Sequence, residues 1–319
     1  MAGCAFLWNR NMGGVRESVV LSEKPAPAPL LASTAAQTGA VSEMPPSPPP
    51  PSPNTSAFTR LQQATDYRVL FESLLARPDR ASGLYAQHLL RTCWGVQNAA
   101  AQGAFEASTS TSSAQDEAQQ KIKALCASFI PDELSIQRLA ELMQDPRITG
   151  SELLQIARQL HGGSSPEERA QWVARVLAAR DPLLLAEASV GLFALNPADA
   201  QGRTSVTFDG QTYDQPEAID VFQLAVQGAA CEAYGHTCGA GDALVLDACA
   251  SRGICTGSRS ETIARVLRQQ GGEGALALYE RIRPRLIRAL REGDVSAFAP
   301  APQSAAKNAP GPAAGQAPR

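Results

Sequence analysis

Four of the seven cysteines in this sequence lie between Cys231 and Cys255, and so dense a cluster needs a partner for its sulfur atoms, either another sulfur or a metal. A structural zinc site commonly uses two close pairs of ligands, each pair about two to four residues apart. The cysteines of this cluster are instead separated by six, ten and five residues. The spacing therefore favours disulfides. Zinc bound with His236 in place of one sulfur, and buried free thiols in a reducing compartment, are the alternatives.

Two further cysteines, Cys93 and Cys126, fall on the inward faces of two neighbouring predicted helices, so we expect them to pair. The seventh cysteine, Cys4, follows a small residue, as does the lipidated cysteine that ends a bacterial lipoprotein signal. If translation began upstream of Met1, Cys4 would be a lipid anchor, and an even number of cysteines would remain to form disulfides. The alternative is a chance cysteine in an ordinary cytoplasmic start.

The pairing inside the cluster is not fixed by the sequence, because six cysteines allow about 15 arrangements. Cys231 and Cys249 lie near predicted helix ends, whereas Cys238 and Cys255 lie in predicted loops. Joining cysteines in similar positions predicts the pairs Cys231–Cys249 and Cys238–Cys255.

The three histidines of the chain, His88, His161 and His236, do not lie in a zinc-protease, cysteine–histidine or nucleophile-elbow motif. We expect His88 to be a partly buried structural residue and His161 to end a helix, where a cation is favoured by the helix dipole. Only His236, between two cysteines, is in a position that suggests a ligand or a catalytic group. The sequence therefore assigns no catalytic, cofactor-binding or metal-binding residue.

Apolar residues at steps of three and four predict helices through most of the chain. The first runs through Leu61 and Leu74 and ends before Pro78. Ser165 and Glu168 form a capping box that begins another helix. The last helix spans about 274–292 and should bend at Pro284.

The one interruption of the helical pattern is a predicted β-hairpin at 204–213, where Val206 and Phe208 alternate with polar residues before the turn signal Asp209-Gly210. The predicted fold is therefore all-α, an irregular array of antiparallel helical hairpins with one small β-hairpin.

The domain organisation follows from composition. Residues 1–56, rich in proline, alanine and serine, are predicted to be disordered, as is the tail 299–319. Residues 57–298 form the helical domain, with a first helical part at 57–196 and a cysteine-rich part at 197–298.

Charge and hydropathy limit the partners. The formal net charge of −3 gives no large basic field, so nucleic acid is not indicated. No apolar run is long enough to predict a transmembrane helix, and no signal peptide is readable. Arg281, Arg285 and Arg288 recur at helical spacing, which predicts either a solvated face or contact with an anionic surface.

Several segments together resemble uncharacterised helical, cysteine-containing envelope proteins of proteobacteria. They are GLYAQHLLRTC and LCASF in the first part, LLLAEASVGL over 183–192, and CEAYGHTCGAG with the downstream CASRGIC. The resemblance covers about residues 60–292 and implies a place in the periplasm or cell envelope, without implying an activity.

From these observations we expect a non-catalytic binding or structural protein of the bacterial cell envelope, stabilised by disulfides and requiring no cofactor. Its partner would be another envelope protein or an anionic surface. The alternatives are a small enzyme of unrecognised type with a site near the Cys231–Cys255 cluster, and a cytoplasmic interaction protein with free or zinc-bound cysteines.

Overall fold

Helices dominate the computed structural model, which describes residues 56–102, 112–159, 165–196 and 204–300. In those ranges there are twelve α-helices and one small antiparallel sheet, so the predicted fold class is confirmed. The first six helices are α1 (Ala57–Gln63), α2 (Tyr67–Ala76), α3 (Ser82–Ala101), α4 (Ser113–Cys126), α5 (Ile136–Leu142) and α6 (Pro146–Thr149). The others are α7 (Glu152–Arg158), α8 (Pro166–Ala179), α9 (Pro182–Leu192), α10 (Ala218–Ala233), α11 (Ala243–Arg252) and α12 (Arg259–Glu292).

Polar caps decide where several of these helices begin. The predicted capping box is confirmed at α8, where the Ser165 hydroxyl accepts from the Glu168 backbone N–H at 3.2 Å and the Glu168 carboxylate accepts from the Ser165 N–H at 2.8 Å. The first predicted helix is wrong in one respect, because the chain divides it into α1 and α2. Asp66 causes the division: its carboxylate accepts from two N–H groups of the first turn of α2, which starts a new helix there.

The sheet has three strands, β1 (Ala194–Asn196), β2 (Ser205–Phe208) and β3 (Gln211–Tyr213), in the order β1-β2-β3. The predicted hairpin is formed by β2 and β3, with Asp209 and Gly210 both at positive φ in the turn. The additional strand β1 follows α9 directly. Phenylalanine rings stack where the sheet meets the helices, and this group consists of Phe193, Phe208, Phe222 and Phe298.

The pair of α10 and α12 forms the largest helix contact of the described chain. Gly228 of α10 allows the approach, because a Cβ at this position would lie 3.0 Å from Ile263 Cδ1 and 3.0 Å from Tyr279 Oη. The path of α12 is broken at Gly272, which has φ 66° and ψ −161°. Pro284 lies inside α12, away from this break, and the predicted bend there stays a prediction.

Some predictions fall on residues that the structure does not describe. They include Cys4, His161 and nearly all of the terminal segments 1–56 and 299–319. Among the described helices, none is long and apolar enough to cross a membrane.

Candidate functional site

Three disulfides join the six cysteines that the structure describes. The first connects Cys93 of α3 to Cys126 at the end of α4, with their Cα atoms 5.3 Å apart. This is the pair predicted from the inward faces of the two helices, and both side chains are buried. It connects segments on either side of residues 103–111 and fixes α4 against α3.

The two disulfides of the cluster differ from the predicted pairing. The structure joins Cys231 to Cys238 and Cys249 to Cys255, with Cα–Cα distances of 6.0 Å and 4.3 Å. The predicted pairs Cys231–Cys249 and Cys238–Cys255 were wrong because each cysteine near a helix end meets the next cysteine along the chain. Each bridge therefore closes a short local loop.

Glycine explains why these loops close locally. Gly235 and Gly253 follow α10 and α11 and have φ values of 72° and 67°, a left-handed conformation that reverses the chain at a helix end. The reversal brings the following cysteine back to the last turn of its own helix. We call residues 234–242 the first stapled loop and residues 253–258 the second stapled loop.

A buried ion pair fastens the two stapled loops together. Arg259, the first residue of α12, donates to both carboxylate oxygens of Asp242 at 3.0 Å and 2.5 Å, and its side chain also donates to the Gln227 carbonyl oxygen at 3.3 Å. The side chains of Arg259 and Asp242 are only 9% and 2% exposed. Asp242 also caps α11 through the Leu244 N–H. Burial, together with the charge of Asp242, raises the pKa of the nearby Tyr67 to about 12.

Helix α4 lies beside this pair of loops. Gln115 and Gln119 both donate to the Ala250 carbonyl oxygen of α11, at 3.2 Å and 3.0 Å. Cys249 Sγ lies 3.4 Å from the Ala114 carbonyl oxygen. These contacts place the Cys249–Cys255 disulfide directly against the start of α4.

A groove of about 690 Å³ opens between α4, α11, the second stapled loop and the first turns of α12, and we call it the α4–α11 groove. Its lining includes the Cys249–Cys255 disulfide and small or apolar side chains such as Ala118 and Val245. Four charged residues stand on its walls. They are Glu117 and Lys121 of α4, and Glu261 and Arg265 of α12.

The two walls carry the same arrangement of charge. Each has a glutamate followed four residues later by a cation, so the two side chains are one helical turn apart. Glu117, Lys121 and Arg265 form no ion pair or hydrogen bond with any residue that the structure describes. Glu261 accepts from the Gly257 N–H at 3.1 Å, which holds its carboxylate over the second stapled loop.

Lys121 extends across the groove towards the first stapled loop. A Cβ placed on Gly241 would lie 3.9 Å from Lys121 Nζ. All four charged side chains belong to exposed residues, so their charges are available to a ligand. Sequence reasoning missed this set of residues, although the two glutamate–cation spacings are visible in the sequence.

His236 lies in the first stapled loop, apart from the α4–α11 groove. Its ring packs against Phe58 with the centroids 4.9 Å apart, and its backbone N–H donates to the Cys231 carbonyl oxygen at 2.8 Å. Burial lowers the pKa of His236, and the negative charge of Asp181 opposes this shift. Cys231 and Cys238 are bonded to each other, so neither offers a free sulfur to a metal beside His236. The contact that the structure shows for the His236 ring is its packing against Phe58.

Asp181 occupies the neighbouring part of the interior. Its carboxylate accepts from the buried Tyr85 hydroxyl at 3.0 Å and from the N–H groups of Leu183 and Leu184, which begin α9. Burial raises the pKa of Asp181 in spite of these hydrogen bonds. The group is a helix cap with a tyrosine partner.

His88 is half-buried on α3, as predicted for a structural residue. Burial is the largest of several influences on the pKa of His88, and it lowers that pKa. Within the described ranges, no group of three or more histidine, cysteine or acidic residues is arranged to hold a metal ion.

The predicted arginine face is divided. Arg285 is held by the hairpin, because its guanidinium donates to Asp209 Oδ2 at 2.7 Å, Gln211 Oε1 at 2.9 Å and the Tyr213 hydroxyl at 3.1 Å. It therefore fixes the sheet on α12. Arg281 and Arg288 are exposed.

Comparisons of the chain with protein-family models, with curated proteins and with solved structures each found no match.

Proposed function

We propose that this chain is a non-catalytic binding protein of the bacterial cell envelope and that it binds its partner in the α4–α11 groove. The observation that carries the proposal is the presence of two glutamate–cation sets, on α4 and α12, around a groove with a disulfide in its lining, and none of these charges forms an ion pair with a residue that the structure describes. Unpaired charges of both signs around one concavity offer a partner specific electrostatic contacts. The resemblance to envelope proteins and the three disulfides support the compartment, since disulfides persist in oxidising environments.

Rigidity of the groove supports binding. The second stapled loop is closed by a disulfide, and the Arg259–Asp242 pair holds it to the first stapled loop. A site that is ordered before its ligand arrives loses less conformational entropy on binding. The two cysteines of the lining are bonded to each other, so they offer no free thiol.

Site-specific photocrosslinking in the native host tests the proposal. Ala240, exposed in the lining of the groove, is replaced by p-benzoylphenylalanine in the full chain, and Arg288, exposed on α12 and outside the groove lining, receives the same replacement as the control. This choice leaves all four charged side chains of the groove in place. We expect light-dependent adducts from position 240 that are absent from position 288. Adducts of equal yield at both positions, or at neither, would contradict a partner that binds in the groove in the native host.

Intact mass of the same protein, with and without reductant and alkylating agent, tests the compartment. An envelope protein should gain the mass of six hydrogen atoms on reduction, two for each disulfide, and acylation of Cys4 would reveal a lipid anchor. Seven free thiols would contradict the envelope assignment and would favour an interaction protein of a reducing compartment.

A further inference from the structure

We infer that the ligand of the α4–α11 groove is an extended peptide segment whose side chains alternate in charge, with a cation and an anion two residues apart. This inference rests on the proposed binding function, and it assigns the chemical class of the partner. It follows from the sign and the spacing of the four charged side chains, from the absence of ion pairs between them and the described residues, and from the size of the groove.

The signs disfavour a ligand of one charge. Glu117 and Glu261 would repel an anionic polymer or headgroup, while Lys121 and Arg265 would repel a cationic one. A ligand with both signs can instead place each of its charges opposite its complement. The charge of the groove therefore selects for a mixed-charge partner.

The spacing fits an extended peptide. On each wall the glutamate and the cation are four residues apart on a helix, a rise of about 6 Å along the helix axis. In an extended chain, side chains on one face are two residues apart, a separation of about 6.6 Å. A peptide with the pattern cation-x-anion can thus place each of its charges opposite the complementary charge of one wall.

The absence of an ion pair between Glu117 and Lys121 supports this fit. A glutamate followed four residues later by a cation is the order that favours an ion pair along a helix. Glu117 and Lys121 nevertheless do not pair, since Lys121 extends towards Gly241. The Lys121 charge is therefore directed across the groove, where a ligand would lie.

The volume and the lining suit a peptide of several residues. A cavity of about 690 Å³ falls in the range that holds a ligand of drug-like or short-peptide size. Small residues of the lining, among them Ala114, Ala240 and Gly241, leave room for a peptide backbone to approach. A single free amino acid would use one charge of each sign and leave the other pair without a partner.

Fluorescence anisotropy with the full-length, oxidised chain tests the inference. The probes are four labelled, end-capped octapeptides built on alanine: one with lysine and glutamate alternating at every second position, one with lysine alone, one with glutamate alone, and one with the mixed composition in two blocks. We expect the alternating peptide to bind about ten-fold or more tighter than the other three, with an affinity that falls as salt is raised.

Charge reversal identifies the wall that makes the contact. Lys121→Glu and Arg265→Glu should each weaken binding of the alternating peptide about ten-fold, whereas Arg288→Glu, outside the groove, should leave it unchanged. The exposed positions of these side chains allow the variants to fold, and far-ultraviolet circular dichroism checks this. Equal binding of all four peptides, or an affinity unaffected by Lys121→Glu, would overturn the inference.

The two experiments separate the inference from the function on which it rests. Photocrosslinks at position 240 without selective peptide binding would leave the binding function standing and refute the peptide class. Selective peptide binding that Lys121→Glu abolishes, without crosslinks in the host, would support the inference and contradict the proposed partner in the envelope.

Discussion

Loss of the Cys93–Cys126 disulfide should destabilise the protein more than loss of either disulfide in the cluster. The chain-entropy relation depends on the number of residues that a bridge encloses. For the separation of 33 residues between Cys93 and Cys126 it gives about 3.7 kcal/mol at 25 °C. For separations of 7 and 6 residues it gives about 2.4 and about 2.2 kcal/mol.

Packing acts in the same direction as chain entropy. Cys93 and Cys126 are 0% and 3% exposed, so their replacement by alanine also leaves an unfilled space in the interior. Each disulfide of the cluster has one half-buried sulfur residue, Cys238 or Cys255, where the surroundings adjust more readily. The difference between the long bridge and the short ones should therefore be at least the entropic difference.

The assay is urea unfolding of the oxidised full chain, followed by circular dichroism, for the wild type and three double variants. Cys93→Ala/Cys126→Ala should lose the most free energy of unfolding, and the variants of Cys231–Cys238 and Cys249–Cys255 should lose less. A long-bridge variant that loses no more stability than either short-bridge variant would refute the reasoning, as would a wild type unaffected by reductant.

Three further predictions concern the interior. Arg259→Met should lower the free energy of unfolding by about 3–5 kcal/mol because it leaves the Asp242 carboxylate buried without its partner, and Asp242→Asn in the double variant should restore part of the loss in urea unfolding. Gly83→Ala should cost about 1–3 kcal/mol because its Cβ would lie 2.0 Å from a carbonyl oxygen of α6, whereas Gly95→Ala on the same helix, with nothing within 4 Å, should cost no stability in the same assay. Burial lowers the pKa of His88 in the folded chain below its ordinary value of 6.5, so the unfolded chain binds the proton at a higher pH. The stability that neutral His88 allows is therefore fully present above about pH 6.5 and is lost as the pH falls through the folded-state pKa. His88→Gln should reduce this acid loss in unfolding curves between about pH 7.5 and pH 5, and an unchanged pH profile would contradict the assignment.

Much of the helical body could be predicted because local signals and tertiary packing agree. The inward positions of Cys93 and Cys126 follow from apolar steps of three and four, and the structure buries both side chains. Ser165 begins α8 through a capping box that can be read directly from residue types. Such signals act within one helical turn, so they need no knowledge of the rest of the fold.

The sequence could not specify contacts that depend on the path of the chain between elements. Asp66 interrupts a continuous apolar pattern because its carboxylate caps α2, and a periodicity argument does not weigh a single cap. Arg285 was grouped with exposed arginines, but the hairpin folds back onto α12 and takes its guanidinium. In the cluster, the left-handed glycines after α10 and α11 determine the disulfide pairing. The predicted pairing matched cysteines at helix ends with each other and cysteines in loops with each other, and it took no account of these glycines.

The candidate site depends even more on tertiary structure. Glu117 and Lys121 precede Glu261 and Arg265 by more than a hundred residues, and a glutamate followed by a cation four residues later is common on solvated helices. Only the packing of α4 on α11 brings the two sets around one groove. Their significance lies in the absence of ion pairing among the described residues, which the spacing alone does not predict.

The long disulfide and the short Cys249–Cys255 disulfide have different main effects because they lie at different places in the fold. The long bridge restrains the unfolded chain most, so its chief effect is on global stability. The Cys249–Cys255 bridge restrains few residues, but Cys255, Thr256 and Gly257 line the α4–α11 groove. Ordering a flexible loop costs about 1–2 kcal/mol for each residue fixed, and a staple that orders the loop during folding removes that cost from ligand binding. The Cys249–Cys255 bridge therefore contributes less to the free energy of unfolding than the Cys93–Cys126 bridge does. Its second effect is to order one wall of the groove before a ligand binds.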